Sequence, residues 1–329
     1  MQDSPFSDES WLKRARVKAG ATVVDGFFRG MSRLGKLHPN SNPSRHNIEV
    51  ERDVIYRDSG LLEHRLDVYR PRGFEGPRPV VLYIHGGGFR ILSKDTHWIM
   101  GLAFARRGYL VFNISYRLAP AHPFPAAVED ACAAYEWVIA NAERYGGDLS
   151  RLMVAGESAG ANLATSVTLA TAFRRPEPFA RAVFDTGIRP VATLPACGML
   201  QVSDPQRFAR RRKMPSFVQD RLDEVSQAYL QRARLHDEGG LDLADPLVVL
   251  ERGHAPERPL PPFFAVVGTR DPLLDDTRRL KRALDRLGVR CDVRYYPGEV
   301  HAFHALVFLP NAVQCWRDTY RFAGEMAGE

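Results

Sequence analysis

Ser158 lies in a short glycine-flanked pattern that could make it a nucleophile. The G-x-S-x-G pattern of residues 156–160 follows an apolar run, residues 152–155, and opens an apolar helical pattern at Ala159. In that setting the serine lies on a sharp strand-to-helix turn with its hydroxyl exposed, and the helix N-terminus favours developing negative charge. Because the matched pattern is so short, the alternative is a serine that only caps the helix. The strand before it and the helix after it favour a nucleophile.

Three successive glycines, Gly86 to Gly88, form a second candidate for chemistry. They follow His85 and the apolar residues 80–84. Such a run frees backbone N–H groups to face an oxyanion, where the amide of Ala159 could join them. Phosphate binding is an alternative for a glycine-rich loop, but the Gly-Lys-Ser/Thr ending of a phosphate loop is absent. We expect His85 to anchor the loop by hydrogen bonds rather than to act as a base.

A serine hydroxyl is a poor nucleophile at neutral pH, so a base is needed. Where a serine lies on such a turn, the acid and then the histidine follow it along the chain. The histidines after Ser158 are His236, His254, His301 and His304. We favour His301, because it follows a predicted strand and a Pro-Gly turn. His304 would face away from the site if a helix begins there.

Asp271 is the predicted acid. It comes shortly after the apolar residues 263–267, where its carboxylate could accept from the imidazole Nδ1–H and orient the ring. Asp245 precedes a similar Pro-Leu pair but follows no strand pattern. Asp275 and Asp276 lie in the next helical pattern, where we expect surface or capping groups.

The elements around these residues alternate between strand and helix. Apolar runs typical of strands buried in a parallel sheet occur at residues 80–84, 110–115, 152–155, 263–267 and 293–296. Helical patterns lie between them at residues 98–107, 126–144, 159–173 and 274–287. An antiparallel pair is predicted before them, at residues 48–58 and 64–69. The alternation predicts an α/β fold with a mostly parallel central sheet and helices on both faces.

Two stretches fall outside this alternation. In residues 1–45 apolar side chains recur at helical spacing between Trp11 and Met31, and residues 200–240 form a charge-rich helical insertion. Covering segments commonly lie over the strand ends where ligands bind. We therefore predict a cap made of segment 1–45 and insertion 200–240 around a core of 46–199 and 241–329. The side chains expected to roof the site are those of Trp11, Phe27, Phe28, Met31, Phe208, Phe217 and Tyr229.

Composition narrows the class of protein. The net charge is +6, but acidic residues are interspersed with basic ones, so the run at residues 210–213 predicts solvated surface rather than a nucleic-acid-binding face. Neither a leader pattern nor a membrane-length apolar run is present, so we expect a cytoplasmic protein without stable membrane association. A basic helix at residues 11–36 that binds a membrane surface is the alternative. The four cysteines lack metal or redox spacing, so we predict buried thiols and no metal site.

Together these segments resemble the hormone-sensitive-lipase-like branch of the α/β-hydrolase superfamily, which includes acetyl esterases and arylacetamide-deacetylase-like carboxylesterases. Five collinear motifs carry the resemblance: residues 85–89, 116–127, 156–160, 268–273 and 296–303. Two features depart from the family pattern. Glu157 stands where an aspartate is common, and residues 182–200 are long and hard to recognise, which leaves the shape of the acyl pocket open.

The resemblance implies an α/β-hydrolase fold with a helical cap and a serine carboxylesterase for short- to medium-chain acyl esters, with no metal or cofactor. It implies a triad of Ser158, Asp271 and His301. The oxyanion donors it implies are Gly87, Gly88 and Ala159, and the supporting residues are His85, Gly86 and Glu157.

Alternative functions on the same fold stay open. An amidase or deacetylase could use the same triad, and a ligand-binding protein of this fold could be catalytically idle. The expected partner is a small-molecule ester, with no nucleic acid. Self-association into a homodimer is left open.

Overall fold

In the part of the chain that the structure describes, the central sheet has eight strands. The prediction of a mostly parallel sheet is confirmed. In this computed structural model the described residues are 26, 29, 30, 32–73, 75–211, 213–231 and 240–328. The strands are β1 (Ile48–Ile55), β2 (Arg65–Pro71), β3 (Arg78–Ile84), β4 (Leu110–Ile114), β5 (Gly147–Glu157), β6 (Ala192–Ala196), β7 (Phe263–Gly268) and β8 (Cys291–Tyr296). Their order is β1-β2-β4-β3-β5-β6-β7-β8. The pairings of β1 with β2 and of β2 with β4 are antiparallel, and the six strands β3 to β8 are mutually parallel.

Helices cover both faces of the sheet. They are α1 (Trp98–Ala105), α2 (Ala126–Asn141), α3 (Ala159–Ala172), α4 (Pro178–Asp185), α5 (Arg207–Arg211), α6 (Ser216–Leu230), α7 (Pro246–Glu251), α8 (Leu274–Arg286) and α9 (Pro310–Ala327). Because side chains alternate along a strand, Leu82 of β3 packs in the cluster that contains residues of α2 and α3. Tyr83 packs in the cluster that contains residues of α1 and α9. Of the helices that the structure describes, none is long and apolar enough to cross a membrane.

The stretch 182–200, which the sequence left unassigned, contains the end of α4 and all of β6. The sequence of β6 is Ala-Thr-Leu-Pro-Ala, and Pro195 lacks the N–H that a central strand normally donates. The proline therefore argues against a strand in the sequence, although β6 pairs in parallel with both β5 and β7.

The insertion contains α5 and α6, with residues 212 and 232–239 outside the described part. Phe208 and Tyr229 are buried, whereas Phe217 is 63% exposed; that these side chains roof the site stays a prediction. The prediction of a surface or capping group is wrong for Asp276, because it is fully buried and pairs with Arg207 of the insertion. This buried pair fixes α5 against α8.

Much of the N-terminal segment 1–45 lies outside the described residues, including Trp11, Phe27, Phe28 and Met31. In its described part, Trp98 Nε1 donates to Ser32 Oγ at 3.0 Å. The four cysteines are buried and unpaired, as predicted.

Candidate active site

Ser158 lies on a strained turn between β5 and α3. Its backbone has φ 54° and ψ −116°, a conformation that is costly for a residue with a side chain. The neighbouring chain is too close for side chains at the flanking positions. A Cβ at Gly160 would lie 2.1 Å from Ile84 O, and one at Gly156 would lie 2.4 Å from Gly160 O. The two glycines of the motif therefore permit the close approach that holds Ser158 in this conformation.

Ser158, His301 and Asp271 form a hydrogen-bonded row at the carboxyl ends of the parallel strands. His301 Nε2 lies 3.0 Å from Ser158 Oγ, and His301 Nδ1 lies 2.9 Å from Asp271 Oδ2. A carboxylate can only accept, so Nδ1 donates to Asp271, and Nε2 is left to accept from the serine hydroxyl. Asp271 is fully buried and its other oxygen accepts from Leu273 N at 2.7 Å.

The charge of Asp271 acts on His301 across this contact. Burial lowers the pKa of His301, but the Asp271 carboxylate opposes this, and the pKa lies well above its ordinary value. The imidazolium that forms when His301 takes a proton is therefore stabilised where it forms.

Among the residues that the structure describes, the other candidates for base and acid have different partners from Ser158. His304 Nε2 lies 2.9 Å from a carboxylate oxygen of Glu157, and His254 is exposed. Asp245 accepts from Val202 N at 2.6 Å, so it anchors the chain after β6. His236 lies outside the described residues.

The glycine run after β3 adopts backbone conformations that favour glycine. Gly87 has φ 113° and Gly88 has φ 59°. A Cβ at Gly87 would lie 2.1 Å from Ile91 O, which no side chain could tolerate. Ala159 is the first residue of α3, so its N–H is one of those without an acceptor inside the helix.

His85 is a buried, neutral support of this loop. Burial lowers its pKa to about 3, so it stays uncharged at neutral pH. Its Nδ1 lies 2.6 Å from Gly86 O, and its ring stacks on Tyr116 at 4.2 Å. The Tyr116 hydroxyl in turn donates to His85 O at 2.9 Å.

Glu157 connects three loops of the site. Its carboxylate is buried and lies 2.7 Å from His97 Nε2 through Oε1 and 2.9 Å from His304 Nε2 through Oε2. Burial raises the pKa of Glu157, but the two histidines lower it by a larger amount, so the pKa lies well below its ordinary value. A Cβ at Gly86 would lie only 3.0 Å from Glu157 Oε1. The charge on Glu157 thus joins the nucleophile turn to the glycine loop and to the loop of His301.

His97 and His304 are residues that the sequence reasoning missed as partners of Glu157. They lie 60 positions before it and 147 positions after it along the chain, so no local spacing relates them. The position of His304, three residues after His301, is the one local signal, and it predicts a rival base rather than a partner of Glu157.

Comparison with known proteins identifies the class of protein to which this fold and this site geometry belong. A family model described as alpha/beta hydrolase fold matches residues 81–305, and the chain belongs to that family. The carboxylesterase NlhH of Mycobacterium tuberculosis is 34% identical over 86% of this chain and 83% of its own. The versiconal hemiacetal acetate esterase of Dothistroma septosporum is 26% identical over 92% of this chain and 90% of its own. The predicted hormone-sensitive-lipase-like branch is confirmed.

Solved structures agree with the fold. An esterase of Pyrobaculum calidifontis superposes with a TM-score of 0.71 at 26% identity, covering 100% of this chain and 95% of its own. Esterase B of Lactobacillus rhamnosis, solved with an inhibitor, has a TM-score of 0.79 at 19% identity, covering 96% of this chain and 97% of its own. At that identity the second likeness supports the fold alone.

Replacing Glu157 by glutamine should destabilise the protein. One terminal atom of the amide becomes a donor that faces a histidine N–H, and the buried charge is lost. We expect the free energy of unfolding in urea at pH 7 to fall by about 2–3 kcal/mol. Glu325→Gln is the matched control, because Glu325 pairs with Arg290 at the exposed surface, where such pairs contribute little. Equal stability of the two variants would contradict the structural role of Glu157.

Proposed function

We propose that this chain is a serine carboxylesterase that hydrolyses short- to medium-chain acyl esters through an acyl-enzyme on Ser158. The observation that carries the proposal is the hydrogen-bonded row from Ser158 through His301 to Asp271. The chain is a carboxylic-ester hydrolase by its family and by its likeness to relatives named as esterases. Its cytoplasmic location, and whether two chains associate, stay predictions.

In the first step Ser158 Oγ attacks the ester carbonyl carbon while His301 Nε2 takes the hydroxyl proton. The carbonyl π electrons move to oxygen, and the amides of Gly87, Gly88 and Ala159 donate to the resulting oxyanion. Asp271 holds the imidazole in the required tautomer and stabilises the imidazolium. Gly86, His85 and Glu157 keep the glycine loop and the serine turn at a fixed separation.

In the second step the bond from the acyl carbon to the alcohol oxygen breaks, and His301 gives its proton to the departing alcohol. A water molecule, deprotonated by His301, then attacks the acyl-enzyme. The second tetrahedral intermediate releases the acid and returns the proton to Ser158.

The insertion 200–240 is the proposed cap, because α6 packs on the glycine loop. A Cβ at Gly88 would lie 2.7 Å from Val225 Cγ2, and the rings of Phe89 and Tyr229 stack at 3.8 Å. Arg90 also pairs with Glu224 of α6. A helix held this firmly at the oxyanion loop limits the room for the acyl chain. Segment 1–45 is proposed as the second part of the cap.

Ser158→Ala should abolish turnover of p-nitrophenyl butyrate without unfolding the protein. We expect kcat to fall by at least about four orders of magnitude, because loss of the nucleophile removes the covalent route. The matched control is Ser150→Ala, an exposed serine near the other end of β5. Circular dichroism checks the fold of both variants.

Activity retained by Ser158→Ala would overturn the choice of nucleophile. A folded wild-type protein that turns over no ester at all would favour the idle ligand-binding alternative.

The proposed cap should limit the length of the acyl chain that the enzyme prefers. Each methylene that fits the pocket contributes at most about 0.8 kcal/mol, and one that does not fit gains nothing. We expect kcat/KM on a panel of p-nitrophenyl esters to peak between acetyl and roughly octanoyl chains and then to fall. Emulsified long-chain triglyceride is the contrasting substrate, and its rapid hydrolysis would instead favour a lipase that acts at a membrane surface.

A further inference from the structure

A cysteine thiol lies beside the proposed base and its acid. Cys197 directly follows β6, is 1% exposed and has a backbone φ of 39°. Its sulfur, a carboxylate oxygen of Asp271 and a ring nitrogen of His301 all lie within 4.8 Å of one another. Within the described ranges, no other group of three or more such side chains meets this spacing.

The backbone on both sides of Cys197 is fixed by the sheet. Cys197 N donates to Val266 O at 2.8 Å, and Ala196 O accepts from Ser158 N at 2.9 Å. Cys197 clusters with the apolar residues Val267, Leu274 and Ala302. The proposed esterase reaction uses no thiol, so this sulfur has no assigned part in it.

We propose that Cys197, Asp271 and His301 form an inhibitory binding site for a thiophilic divalent cation such as Zn²⁺ or Cd²⁺. Sulfur, imidazole nitrogen and carboxylate oxygen are the donors that these ions accept. Ligands on one tetrahedral zinc lie about 3–4 Å apart, given bonds of about 2.0–2.3 Å, so ligand atoms that lie within 4.8 Å of one another need to approach by less than about 2 Å. The thiol releases its proton to solvent as the sulfur binds.

The cation would enter from the substrate side. The side chain of His301 is 32% exposed, whereas that of Asp271 is fully buried. Three protein ligands leave the fourth position of a tetrahedral ion for water. Mg²⁺ and Ca²⁺ prefer oxygen ligands, so this donor set discriminates against them.

Binding would stop ester hydrolysis, whichever ring nitrogen of His301 is used. A cation on Nδ1 displaces the hydrogen bond to Asp271 and requires the ring proton to move to Nε2, which then cannot accept the Ser158 proton. A cation on Nε2 occupies that acceptor directly. This consequence rests on the proposed function, but the binding itself does not. Sequence spacing could not predict the site, because its ligands lie on three separate loops.

The test titrates chelator-treated protein with Cd²⁺ and measures residual esterase activity and the ultraviolet thiolate-to-cadmium absorption. We expect Cd²⁺ to inhibit the wild type reversibly, with activity restored by EDTA, whereas the same concentration of Mg²⁺ has no effect. Cys197→Ala should need roughly tenfold more Cd²⁺ or more for half-inhibition of its own activity, and it should lose the absorption band. Cys132→Ala, at a buried thiol of α2, is the matched control and should behave as the wild type.

The same absorption measured on Ser158→Ala tests the site without catalysis, so failure of the proposed function cannot be mistaken for failure of the site. Cys197→Ser, similar in size, replaces the alanine variant if circular dichroism shows that alanine unfolds the protein. Equal inhibition of the wild type and the Cys197 variant would overturn the proposal. The proposal would also be overturned if the wild type showed no thiolate-to-cadmium absorption, or if the Cys197 variant kept that absorption.

Discussion

The geometry of the site depends on the contacts that the buried carboxylate of Glu157 makes. It lies directly before Ser158 and contacts His97 and His304, each of which comes from a different loop. A charge that is 5% exposed is costly unless it is paired and hydrogen-bonded. Separating Glu157 from its partners would leave a buried charge unpaired, and this free-energy cost keeps the Ser158 turn, the glycine loop and the His301 loop together.

Close backbone packing provides the second constraint on Ser158. The turn tolerates positive φ at a serine because the surrounding chain leaves it no other arrangement. Gly160 lies against Ile84 O and His85 O, so the start of α3 is wedged against the end of β3. Rigid elements thus fix the Ser158 turn against the glycine loop, as the proposed mechanism requires.

The parts of the fold that follow from local pattern could be predicted from the sequence. Apolar runs and the glycine-flanked serine are short-range signals, and they correctly predicted the parallel strands and the turn at Ser158. The strand β6 could not be predicted because Pro195 contradicts the strand pattern, and only pairing with β5 and β7 overrides it. Likewise the burial of Asp276 depends on Arg207, a partner on a distant helix.

The contacts of the site that the sequence could not predict are all long-range. Glu157 was recognised only as a variation of the motif, because its partners His97 and His304 are near it in space alone. Cys197 carried no signal, since its relation to His301 exists only after β6 and β8 are placed in the sheet. Residue type and spacing thus selected the residues of the proposed site, whereas the contacts that support them required the fold.

A covalent label is the most direct test of Ser158 as the nucleophile. A p-nitrophenyl phosphonate ester carries an electrophilic phosphorus that an activated serine attacks with release of nitrophenol, and the product resembles the tetrahedral intermediate. After reaction, mass spectrometry of the intact chain should find one phosphonyl group, and peptide mapping should place it on Ser158. A chain that stays unlabelled, or a label on Cys197 or on another serine, would contradict a nucleophilic Ser158.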